Sequence, residues 1–168
     1  MGSSRLEELV TQLGDHDGVT RQRARDTLTA ISDEAVPHLV GLLGSQQERL
    51  RWEAAKALTE IPDPAAITGL VSLLADPASE IRWLAAKGLI RLGNRSVPPV
   101  LQALAEHGAE KGFRAASHHV LHDLSEKNGV LREIVEPVLA VLGDTDPAGA
   151  ISARAQVALL ELRALGGD

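Results

Sequence analysis

The stretch SHHVLHDLSE at Ser117–Glu126 carries three of the six histidines and is the one constellation in this sequence that could do chemistry. At about 100° per residue, His118 and His122 fall on one face of a helix, and Glu126 extends the same stripe. Two imidazoles at that spacing can chelate a divalent metal, and an intrinsic pKa of about 6.5 would make any contact they form pH-sensitive. The signal is weak: no HExxH order is present, Asp123 points elsewhere than Glu126, and helix-borne histidine pairs more often meet water or pack. No metal or cofactor is therefore expected, with His118 and His122 kept as weak metal candidates. Other catalytic signatures fail outright, since there is no glycine-rich phosphate loop, no Ser-His-Asp order with its supporting motif and no cysteine. The acids of Asp15/Asp17, Asp33/Glu34 and Asp144/Asp146 sit in turns, where helix capping accounts for them. The chain reads as a non-enzyme.

A second feature concerns recognition. RWEAAKAL at Arg51–Leu58 returns as RWLAAKGL at Arg82–Leu89, placing both tryptophans of the chain at one position of a repeated phrase. Helical arithmetic puts Leu50, Ala54, Ala57, Leu58 and Ile61 on one side of the first copy and Trp52 nearly opposite. It treats Ile81, Ala85, Gly88, Leu89, Leu92 and Trp83 in the same way.

The elements that must hold these residues follow from composition and period. The chain has 168 residues, of which 44% are hydrophobic and only 2% aromatic, so one compact domain must build its core from Leu, Ile, Val and Ala. Those residues suit packed helices, and no sustained two-residue alternation appears; the chain reads as all-α. A net charge of −6 with a pI near 5.5 gives no basic field for phosphate, which argues against nucleic acid. No apolar run approaches the roughly 20 residues of a membrane span, and MGSSRLEELV lacks a signal-peptide core, so a cytoplasmic protein with no membrane partner is the default expectation.

Leu28, Leu58, Leu89, Leu121 and Leu159 recur at intervals of 30, 31, 32 and 38 residues, a period that indicates a solenoid. Each unit divides into two amphipathic segments. The first segments are 5–13, 35–43, 66–74, 97–105 and 131–142, and the second are 19–31, 48–61, 80–92, 112–124 and 151–165, ten helices in all. Gly, Asp, Ser and Pro fall between them, as in GDHDG at Gly14–Gly18 and PDP at Pro62–Pro64. Pro37, Pro98, Pro99 and Pro137 are placed at first-helix starts, where a missing N–H costs little.

Units such as AVPHLVGLL…ERLRWEAAKALTEI and AAITGLVSLLADPASEIRWLAAKGLIRLG resemble HEAT repeats, specifically the short bacterial kind similar to repeats of phycobilisome lyase subunits. The resemblance rests on the Asp-Pro turn, the hydrophobic-Arg pair, the Ala-Ala step and the closing Leu. It implies a single domain over 1–168, with repeats at about 5–31, 35–61, 65–92, 96–124 and 130–165 forming a short right-handed superhelix. It also implies a structural ladder of Asp and Arg between units, here Asp15, Arg21, Arg51, Asp76, Arg82 and Arg114. Ser45 and Gly108 stand where Arg51 and Arg114 would find an Asp, and in the last unit Asp146 meets Ser152 instead of an Arg.

In such arrays the second helices line the concave wall, so the resemblance places Trp52 and Trp83 there as neighbours. Around them it sets Ala55, Lys56 and Thr59; Ala86, Lys87 and Ile90; Ala115, His118, His119 and His122; and Ala153, Gln156, Val157 and Leu160. Exposed Trp beside apolar side chains and Lys stems suits an interface centre. The reading is a protein or peptide partner held by Trp52, Lys56, Thr59, Trp83, Lys87, Ile90, His119 and His122, with flat packing of the indoles over alanines as the structural alternative. Two further readings stay open: a lyase-like or chaperone subunit handling a tetrapyrrole, and a metal-binding or self-associating scaffold. The last includes a homodimer through the C-terminal repeat.

Overall fold

The computed structural model describes residues 3–108, 110–143 and 147–166. Among these residues the chain forms ten α-helices and no strand. They are α1 (Ser3–Gln12), α2 (Gly18–Ile31), α3 (Val36–Leu42), α4 (Glu48–Glu60), α5 (Ile67–Leu73), α6 (Ser79–Leu92), α7 (Val97–His107), α8 (Lys111–Glu126), α9 (Gly129–Leu139) and α10 (Ala148–Gly166). Short 3-10 turns at Ser32–Glu34, Pro64–Ala66 and Gly93–Ser96 lead into α3, α5 and α7.

Local chemistry sets these boundaries. Asp17 caps α2 by accepting from the Thr20 amide at 2.8 Å, and Asn128 caps α9 by accepting from the Leu131 amide at 3.1 Å. Pro37 and the Pro98–Pro99 pair occupy the opening turns of α3 and α7, as the sequence suggests. Pro137 does not: it lies inside α9, near its end, because that helix starts at Gly129. α6 leaves through Gly93 at φ 74°, and α2 leaves through Ser32 at φ 59°, a region that glycine occupies without strain.

α2, α4, α6 and α8 pack side by side into one layer, and the first helices lie behind it. Leu28, Leu58, Leu89 and Leu121, four of the five leucines that define the period, are sealed from solvent along the seam between the layers. Leu39, Leu70, Leu101 and Leu104 meet them from the first helices. Alanine makes the layer tight: Ala54, Ala55, Ala57, Ala85 and Ala86 are buried at 0–1% exposure. α4 and α6 are thus covered by their own partners and by a second helix on either side, whereas α2, with α4 alone beside it, buries only Ala24 and Leu28.

The last hairpin departs from the repeat. α10 lies against α7, not against α8, and α9 takes the place beside α8. Ser152 Oγ donates to the Ala105 carbonyl at 2.7 Å at one end of the α7–α10 contact, and Leu159 and Leu162 reach Pro98 and Pro99 at the other, so the two helices run antiparallel. α7, α8, α9 and α10 therefore close into a four-helix, up-down-up-down ring. The connection from α8 to α9 is only Lys127–Asn128, which forces α9 to lie alongside α8. The expectation that Ala153, Gln156, Val157 and Leu160 extend the second-helix wall is corrected accordingly: α10 joins the first-helix layer. Val157, Leu160 and Leu165 remain exposed on its outer side.

Candidate functional site

The second-helix layer carries three clefts in line. The α2/α4 cleft, about 500 Å³, is lined by Arg21, Glu48, Arg49, Trp52 and Glu53. The α4/α6 cleft, about 530 Å³, is lined by Trp52, Lys56, Ser79, Glu80, Trp83 and Leu84. The α6/α8 cleft, about 240 Å³, is lined by Ser79, Arg82, Trp83, Ala86, Gly112, Ala115, Ala116 and His119. Trp52 is the wall between the first and second clefts, and Trp83 between the second and third. The repeated phrase thus delivers one indole per rung.

The two indoles are held differently. Trp52 is half-buried against the core, with the Arg25 guanidinium 5.8 Å from its ring. Trp83 is 55% exposed, and among the described residues its cationic cover is Lys87, one turn on, at 5.3 Å. The difference traces to one residue. Glu53, buried at 3% exposure, binds Arg21 Nε at 2.9 Å and Arg25 Nη1 at 2.5 Å, drawing Arg25 across Trp52. Leu84 stands at the matching position of the second phrase and recruits no cation. Glu53 was missed as a site residue, although it is the one charged difference between RWEAAKAL and RWLAAKGL.

Of the residues expected to meet a partner, Trp52, Lys56 and Trp83 share one cleft, Lys87 caps Trp83, and His119 lines the next cleft along. Ile90 packs partly into the core. Thr59 is corrected: it is fully buried, and its hydroxyl donates to the Lys56 carbonyl at 2.7 Å. The angular argument gave α4 one buried side, whereas neighbouring second helices cover it on two more; Ala55 and Ala86 are buried for the same reason. His122 lines none of the three clefts. Its ring stacks on His118 at 5.7 Å and 14° between planes, and among the described residues no group of three ligating side chains forms there. Partial desolvation of a ring that is still largely exposed, then the neighbouring His122 and His119, hold His118 below the usual imidazole value.

The arginine ladder is present, and its logic is simple. Arg21, Arg51, Arg82 and Arg114 each donate to the carbonyl of the residue six positions earlier, namely Asp15, Ser45, Asp76 and Gly108, at 2.7–3.0 Å. The arginine thus satisfies open carbonyls at the end of the preceding first helix whatever side chain stands there, so Ser45 and Gly108 cost nothing within their own units. The acid serves the unit before it: Asp76 Oδ2 accepts from Arg51 Nε at 2.6 Å. Those bonds, opposed by burial, hold Arg51 above its usual value. Glu53 Oε1 likewise accepts from Arg21 Nε, at 2.9 Å. No ladder arginine precedes Asp15, and its carboxylate accepts the Asp17 amide instead. Arg114 also reaches the Gly143 carbonyl; Asp146 lies outside the described residues.

Stacked helical hairpins with a continuous second-helix wall define a HEAT- or armadillo-like α-solenoid. The HEAT-repeat family model matches residues 6–89 and 45–122, and the chain belongs to that family. Its fold is similar to that in the structure of the complex of CpcE and CpcF of phycocyanin lyase from Nostoc sp. PCC7120, with 22% identity over 94% of this chain and 99% of that one and a TM-score of 0.62. An engineered protein, at 21% identity over 96% and 80% of the two chains, gives a TM-score of 0.49. A designed armadillo repeat protein in complex with peptide (KR)4, at 18% over 94% and 81%, gives 0.46. No curated protein matches the sequence significantly. At these identities the likeness is one of fold.

Proposed function

We propose that this chain is a non-catalytic interaction module that holds a segment of a protein partner along the second-helix wall, with Trp52 and Trp83 as anchors. The observation that carries the reading is the exposure of Trp83 at the junction of two clefts, where an indole contributes nothing to the core but offers a large apolar surface. Rigid stacking presets the wall, so little ordering accompanies binding. The test is affinity capture with the wild type and a Trp52→Ala/Trp83→Ala variant of equal helicity. A protein retained by the first and lost by the second supports the reading; identical captures overturn it.

Two other readings each have one observation behind them. The fold likeness to a phycocyanin lyase complex favours a lyase-like or chaperone subunit with a tetrapyrrole between the indoles. A shifted visible spectrum on mixing with bilin would support it, and an unchanged one would exclude it. The exposed Val157, Leu160 and Leu165 on α10 favour self-association. Sedimentation showing a monomer at high concentration would remove that reading.

A further inference from the structure

The ladder leaves one rung open. Arg21 and Arg51 present the same edge to the following unit: Nη1 stays on the carbonyls of its own turn, and Nε meets a carboxylate, Glu53 in one case and Asp76 in the other. Arg51 adds Nη2 to Asp76 Oδ1 at 3.2 Å, completing a two-pronged grip. Arg82 follows the pattern on its own side, with Nη1 on the Asp76 carbonyl at 2.7 Å and the Pro77 carbonyl at 3.0 Å. Its Nε and Nη2 have no partner among the described residues, because Gly108 stands at the acid's position. Gly112 keeps this edge accessible: a Cβ there would lie 3.2 Å from Arg82 Cζ and Nε.

The half-buried Arg82 guanidinium lines the α6/α8 cleft beside Trp83 and His119, and no acid is among the residues lining that cleft. We infer that this cleft receives an Asp or Glu side chain of the partner polypeptide, which completes the third rung as Asp76 completes the second, with an apolar neighbour laid on Trp83. The inference rests on the interaction-module reading and specifies its partner as an acidic-apolar segment. A planar fork favours a carboxylate in two-pronged register, and the fixed Nη1 bonds orient it in advance.

The test uses an array of randomised eight-residue peptides, with phosphoserine among the building blocks, probed with the full chain as wild type, Arg82→Gln, Arg82→Lys and Trp52→Ala/Trp83→Ala. Wild-type binders are expected to hold Asp or Glu at one position next to an apolar residue. Arg82→Gln should weaken them about tenfold and erase the acidic preference while leaving apolar selection; Arg82→Lys, with charge but no fork, should fall between. Trp-dependent binding without acidic enrichment, or with enrichment that survives Arg82→Gln, overturns the inference and leaves the interaction-module reading intact. Selection of phosphoserine over Asp and Glu overturns it in favour of a phosphate. Absence of any Trp-dependent binding overturns both. Should the Arg82 variants fail to fold, the wild-type Arg82 Nε–Hε resonance decides: it is expected to shift on titration with N-acetyl-aspartate amide, and an unmoved resonance sinks the idea.

Discussion

Arg51 grips Asp76 of the next unit through Nε at 2.6 Å and Nη2 at 3.2 Å while its Nη1 holds the Ser45 carbonyl at 2.9 Å. One guanidinium thus ties the end of α3, the start of α4 and the turn before α6. The side chains are 15% and 2% exposed, so this is a shielded pair.

Removing one member strands the other. Asp76→Ala should cost about 3 kcal/mol in urea unfolding, whereas an apolar double replacement, Arg51→Met/Asp76→Leu, should cost much less. A loss below about 1 kcal/mol for the single variant would show the pair to be solvated.

The tryptophans should separate in stability measurements. Trp83→Ala is expected to change stability by no more than about 0.5 kcal/mol, as for an exposed site. Trp52→Ala, which strips a ring packed on the core, should cost about 2 kcal/mol. Equal losses would make Trp83 a packing residue and weaken the case for a binding surface.

His118 sets a pH dependence. Its native-state value lies below the usual 6.5, chiefly through burial, so the unfolded chain takes up this proton first on acidification. The stability it contributes is present above pH about 6.5 and is lost as pH falls through the native-state value. Proton NMR should show the His118 ring titrating below free histidine. His122→Ala should raise that midpoint only in part, because burial is the larger cause; full restoration would assign the shift to the neighbour.

The closed end of the fold can be probed at Gly108. A Cβ there would lie 2.7 Å from the Leu104 carbonyl oxygen and 2.8 Å from Ile151 Cγ2, so Gly108→Ala must push α10 from α7. A cost of about 2 kcal/mol is expected, measured by thermal unfolding. An unaffected variant would mean that α10 docks loosely.

Ser32 offers the opposite sign. Its φ of 59° is strained for a residue with a Cβ, and Ser32→Gly should raise stability by about 0.5–1 kcal/mol despite the added freedom of the unfolded chain. A lower melting temperature would contradict this.

The repeat, the helix boundaries and the Trp rungs were legible because they depend on period and on single-helix geometry. Leu28, Leu58, Leu89 and Leu121 declared the seam directly. What stayed hidden depends on how helices meet. Thr59 lies two turns on from Trp52 and points within about 20° of its direction, yet a neighbouring helix buries it. Glu53 looked like an ordinary surface acid until Arg21 and Arg25 converged on it from another unit. The reversal of α9 and α10 was hidden because an amphipathic stripe specifies that a helix is covered, not by which neighbour. The ladder was visible as a spacing of six, and Arg51 and Asp76 do pair between units, but the carbonyl half of its chemistry was hidden, since backbone carbonyls have no letter in a sequence.

Closure of α7–α10 into a ring sets where the second-helix wall ends on its C-terminal side. Packed helices stand roughly 9 Å apart, so the wall from α2 to α8 measures roughly 27 Å. A fully extended chain advances about 3.3 Å per residue, so about eight residues match that span. The fold would then act as a ruler: trimming a bound segment residue by residue should lower affinity in steps, one for each cleft vacated, and a smooth decline would contradict it.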